Sequence, residues 1–123
     1  MRYTLLLHYP EMSPEVMGPD AWAEGEREFE AYATALDKAG VLESAEVLQP
    51  SSATTTVSLR DGELRVQDGP FADTKEQLGG TFVIDVPDLD AALAWARKAP
   101  SIAWGAVEVR PTATRFVYGA WTR

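Results

Sequence analysis

The chain has 123 residues, 46% of them apolar, which is near the commonest domain size and enough for one continuous core. Nineteen acidic against eleven basic residues leave a formal charge of −8, which opposes binding to a polyanion and excludes direct DNA or RNA contact as the expected role. The absence of cysteine removes disulfides, thiolate nucleophiles and Cys-ligated metals, and no run nears the roughly 18 apolar residues that span a bilayer.

Residues 1–123 therefore read as a single domain away from the membrane. The start, Met1 to His8, lacks the long apolar stretch and small-residue cleavage site of a secretory signal, so a cytoplasmic location is expected. Arg2 to His8, with Leu5, Leu6 and Leu7 at its centre, reads as a buried first strand closed by Pro10 and Ser13-Pro14. From Asp20 to Ala39 the period becomes helical. Trp22, Phe29, Ala33 and Leu36 form the apolar stripe, Glu24, Glu26, Arg27, Glu28 and Glu30 take the outside, and Gly40 stands where a left-handed cap ends a helix.

Val41 to Leu48 is again extended. Thr54 to Leu59 and Glu63 to Gln67 flank Arg60-Asp61-Gly62, and an Asp-Gly pair between β-prone runs predicts a hairpin. Asp68 to Gly80 is rich in glycine and charge and reads as a shaped surface loop, with Phe71 anchoring its turn in the core and Gly79-Gly80 offering a hinge. Thr81 to Val86 is a compact strand. Asp88 N-caps a second helix whose stripe is Leu89, Ala92, Leu93 and Ala96. Trp104 to Arg110 is the last strong strand, and Thr114 to Trp121 an extended tail or edge strand.

Without the inserted β-hairpin, the order is the βαββαβ arrangement of a ferredoxin-like α+β fold. Two helices cover one face of such a sheet. If Leu5, Leu7, Phe82, Ile84, Val107 and Val109 face them, alternation sends Leu6, His8, Val83, Asp85, Trp104, Ala106 and Glu108 to the other side. That second set is too apolar for a wetted surface and too ionisable for a closed core. A homodimer in which two sheets meet around a pocket satisfies both properties.

The residues Asp68-Gly69-Pro70-Phe71, the following Ala-Asp-Thr-Lys-Glu-Gln-Leu-Gly-Gly, Val86-Pro-Asp-Leu-Asp-Ala-Ala-Leu, and Gly105-Ala-Val-Glu-Val-Arg-Pro111 together resemble the DGPF branch of the YCII-related proteins. The resemblance covers the chain to about Pro111. It implies a ferredoxin-like α+β fold that dimerises through the sheet into an α/β barrel. It also implies that rare enzymatic relatives use a His on the first helix and an Asp after the second. Here the helix from Asp20 to Ala39 has no histidine, and Arg97-Lys98-Ala99-Pro100 follows the second helix.

His8 is the only histidine, and imidazole is the side chain that exchanges protons near neutral pH. The first and third core strands are read as parallel neighbours, which places Asp85 beside His8, where it fixes the tautomer and makes a general base, with Asp68 as the alternative partner. The plainer reading is that His8 ends a strand and bonds a loop. Asp68, Asp73 and Lys75 are read as rim residues for a polar ligand group, Leu6 and Trp104 as apolar walls. No His-x-x-x-His pair or phosphate loop is present, so no metal and no cofactor is expected. Three functions are weighed: binding of an unidentified small molecule between the sheets, a lyase- or hydrolase-like reaction using His8, and a protein-interaction module linked to transcription. The third is implied only by the resemblance, since some family members accompany sigma-factor domains.

Overall fold

A computed structural model describes residues 1–122. In chain order it contains β1 (Arg2–Tyr9), α1 (Pro14–Met17), α2 (Pro19–Lys38), β2 (Leu42–Val47), β3 (Thr55–Arg60), β4 (Glu63–Asp68), β5 (Gln77–Asp85), α3 (Leu89–Ala96), β6 (Ala106–Pro111), β7 (Phe116–Val117) and β8 (Ala120–Trp121), with 3-10 turns at Ser51–Ala53 and Pro100–Ala103. The main sheet has the order β2-β5-β1-β6 with every pair antiparallel, and β3–β4 and β7–β8 are separate hairpins. Setting the hairpins and short α1 aside leaves the expected ferredoxin-like α+β layout. No helix among the described residues is long and apolar enough to cross a membrane.

Strand alternation places the core. Tyr3, Leu5 and Leu7 of β1 and Phe82 and Ile84 of β5 are buried against Tyr32 and Leu36 of α2 and Ala92 and Ala96 of α3, with Val107 and Val109 of β6 packed beside them. The helix-facing set is therefore the one that period-two alternation predicts. Tyr32, outside the predicted stripe, is also buried: its ring meets Phe82 edge-on at 5.3 Å and its hydroxyl donates to the Trp95 carbonyl oxygen at 2.7 Å. Leu89, expected in the second stripe, is the first residue of α3 and is exposed.

The helix ends follow local chemistry. At the end of α2 the Gly40 N–H donates to Asp37 O and the Val41 N–H to Leu36 O, the two bonds of a Schellman cap, with Gly40 at φ +74°. Asp88 accepts the Ala91 N–H at 2.9 Å and starts α3. Ser13, read only as a breaker, accepts the Val16 N–H and caps the short α1. In the β3–β4 turn Asp61 and Gly62 take φ +51° and +79°, the two left-handed residues of a type I′ hairpin. Tyr118 and Gly119 at φ +52° and +79° do the same in the tail, which is a second hairpin rather than an extended edge.

Two expectations about the glycine-rich stretch fail. Phe71 is 78% exposed and anchors nothing in the core; the loop is held by its own polar groups, with Thr74 Oγ1 donating to Glu76 O and Gln77 Nε2 to the carbonyls of Ala72 and Thr74. Gly79 and Gly80 are no hinge, because β5 already begins at Gln77 and both glycines lie inside the sheet.

Candidate functional site

β1 lies between β5 and β6, so the residues of its outer face are floor positions of the open side of the sheet. On that side Thr4, Leu6 and His8 stand across from Val83, Thr81 and Leu78 of β5 and from Arg110, Glu108 and Ala106 of β6. Leu6, His8, Thr81 and Val83 are partly buried, whereas Ala106 and Glu108 are exposed. The mixture of apolar and ionisable groups foreseen for this face is present.

His8 is held at the end of β1 by two close approaches that only glycine permits. The register slips between Leu7 and His8, Leu7 pairing with Gly80 and His8 with Leu78, so Gly79 forms a bulge. A Cβ on Gly79 would sit 2.1 Å from Tyr9 Cζ, and one on Gly105 would sit 2.1 Å from the His8 carbonyl oxygen. Tyr9 faces the helix side, with its ring edge-on to Trp104 at 5.2 Å. Burial, and then the negative charge of Glu11, push the Tyr9 hydroxyl above its ordinary range.

The expected partner of His8 is corrected. β1 and β5 run antiparallel, which pairs Asp85 with Arg2 and leaves it six positions of β1 from His8, about 20 Å at the usual rise of a strand. Asp85 instead meets the Met1 amine at 3.2 Å. The carboxylate beside the imidazole is Glu108, whose Oε1 lies 2.5 Å from His8 Nε2, an ion pair when the ring is protonated. Glu108 is directly across from Leu6 and reaches diagonally to His8. Nε2 is shielded from water, and apart from this charge contact it has no hydrogen-bond partner among the described residues. Alternation alone had put Glu108 on the face of His8; the error lay in strand direction.

The remaining candidates are dispersed. Trp104 precedes β6, which begins at Ala106, and packs on Tyr9 instead of extending the strand floor. Asp68 ends β4, and Asp73 and Lys75 lie on the following loop; all three are exposed and take part in none of the ion pairs among the described residues. Among those residues no three His, Asp or Glu side chains converge as metal ligands. Shallow concavities occur on the outer face of α2, around Ala31 and Lys38, and in the tail, around Thr114 and Trp121, and His8 lines neither.

Comparison with known sequences follows the same boundaries. The YCII-related domain matches residues 1–114, which takes in all of the main sheet and stops before β7. An uncharacterized protein of Rhizobium meliloti is 40% identical over 100 residues, covering 76% of this chain and 81% of that protein.

Proposed function

The chain belongs to the YCII-related domain family, and from that premise we infer that it binds a small, partly apolar molecule in a cavity that two copies enclose between the open faces of their sheets. The observation that carries this reading is the His8–Glu108 pair at 2.5 Å on a floor that mixes Leu6, Val83 and Ala106 with Thr4, Thr81 and Arg110. That pair sets an ionisable group beside the apolar Leu6, a combination that a partly apolar ligand with one polar group complements. Leu6 supplies the apolar wall, and the loop bearing Asp73 and Lys75, placed with Asp68 in the DGPF-like stretch, supplies the rim. The assembly has a size argument behind it as well. The chain exposes 8647 Å², while a compact monomer of this mass exposes about 6,500 Å².

Native mass spectrometry of protein purified without added small molecules tests the reading. Wild type should carry a bound mass on a dimer, and His8→Asn should lose the mass while keeping the dimer. A monomer with nothing bound, at concentrations well above micromolar, sinks it.

A second reading is favoured by the same contact. A carboxylate against an imidazole is an arrangement for proton transfer, and such a group contributes about 10²–10⁴-fold to a rate. In a lyase- or hydrolase-like reaction His8 moves the proton and Glu108 orients it. Unchanged turnover of any identified substrate by His8→Asn removes that reading.

A further inference from the structure

The β3–β4 hairpin carries an apolar face that nothing among the described residues covers. Val57 stands across from Val66 and Leu59 across from Leu64, so the four side chains share one face. They are 64%, 71%, 63% and 77% exposed. The opposite face pairs Thr56 with Gln67 and Ser58 with Arg65; it is polar, with Thr56 and Ser58 partly buried and Arg65 and Gln67 exposed. At the base of this arm the two legs are joined by the Gly69 N–H donating to Thr54 O and Thr56 Oγ1 donating to Gly69 O, each at 2.8 Å. A two-stranded hairpin standing alone in water is marginally stable, and an outward quartet of Val and Leu adds no stability until it is covered.

We propose that this arm is a dimer clamp, its Val57, Leu59, Leu64 and Val66 face docking on a second copy of the chain. The inference rests on the homodimer of the preceding reading and adds a contact separate from the sheet. The area argues for a second copy. Relative to a compact monomer of the same mass, the chain's 8647 Å² includes an excess of roughly 2,100 Å². Obligate homodimers bury about 1,000–2,500 Å² per chain. The open face of the four-stranded sheet has a flat footprint of roughly 400 Å², from strand spacings near 4.8 Å and a rise near 3.3 Å per residue. The arm's Val57, Leu59, Leu64 and Val66 lie outside that footprint and add exposed apolar surface to it, as do Phe116, Tyr118 and Trp121 of the β7–β8 tail.

The lack of any cysteine makes the experiment direct. Leu64→Cys and, separately, Leu6→Cys are labelled with a benzophenone maleimide, and the purified proteins are illuminated. The Leu64 label should yield a covalent product of two chains. Leu59→Asp combined with Leu64→Asp should weaken self-association about tenfold or more in analytical ultracentrifugation, with the circular dichroism of the body unchanged. Cross-linking between copies from Leu6 but not from Leu64 overturns the clamp and leaves the sheet interface standing. Cross-linking from Leu64 but not from Leu6 supports the clamp and removes the inter-sheet cavity. No two-chain product from either label overturns both.

Discussion

Among single residues, Gly79 and Tyr9 form the tightest constraint near the site. A methyl group at Gly79 would need the place now held by the Tyr9 ring, and overpacking of this kind costs about 1–3 kcal/mol. Gly79→Ala should therefore destabilise by that amount in urea unfolding, while the same substitution in a Tyr9→Ala background should cost under about 1 kcal/mol because the obstructing ring is gone. Equal costs in both backgrounds would show that the bulge itself, not the ring, requires glycine. Little of this was legible from residue types. The pattern reveals His8 as the one imidazole and puts Glu108 on its face, yet excluding Asp85 needs the direction of β5 and pairing Glu108 needs the register of β6, which no single side chain encodes. A chain assumed parallel turns Asp85 into a neighbour; the antiparallel register exchanges it for Glu108.

Between elements, the Tyr32 hydroxyl links α2 to α3 through the Trp95 carbonyl. Burial raises its pKa from 10.0 to about 12. The folded value exceeds the unfolded one, so the contribution to stability is complete below pH 10 and is lost as pH rises from 10 toward about 12. Tyr32→Phe should flatten that alkaline decline and cost about 1 kcal/mol at pH 8, where the lost hydrogen bond leaves a carbonyl without this donor. Denaturant midpoints of both proteins from pH 8 to 11.5 check it; parallel curves would remove the hydroxyl as the cause. Helices and the β3–β4 hairpin were readable because caps and turns are local: Gly40, Asp88 and Asp61-Gly62 each act within a few residues. The start of β5 was not, because Gly79 and Gly80 look like loop residues until the ring of Tyr9 and the backbone at Glu46 are seen beside them.

For the molecule as a whole, the order β2-β5-β1-β6 gives β1 a hydrogen-bonded neighbour along both edges, whereas β3 and β4 have only each other. The consequence is a steep gradient in local opening. Amide deuterium uptake should be slowest at Leu5 to Leu7, where exchange awaits global unfolding, and faster by orders of magnitude along Val57 to Arg60 in dilute solution. Raising the protein concentration should slow uptake in both segments, because association with a second copy stabilises the folded chain by mass action; concentration-independent labelling along Val57 to Arg60 would count against a docked arm. The imidazole at the end of β1 thus rests on the most persistent part of the backbone, which suits a position where geometry has to be kept while whatever encloses it comes and goes.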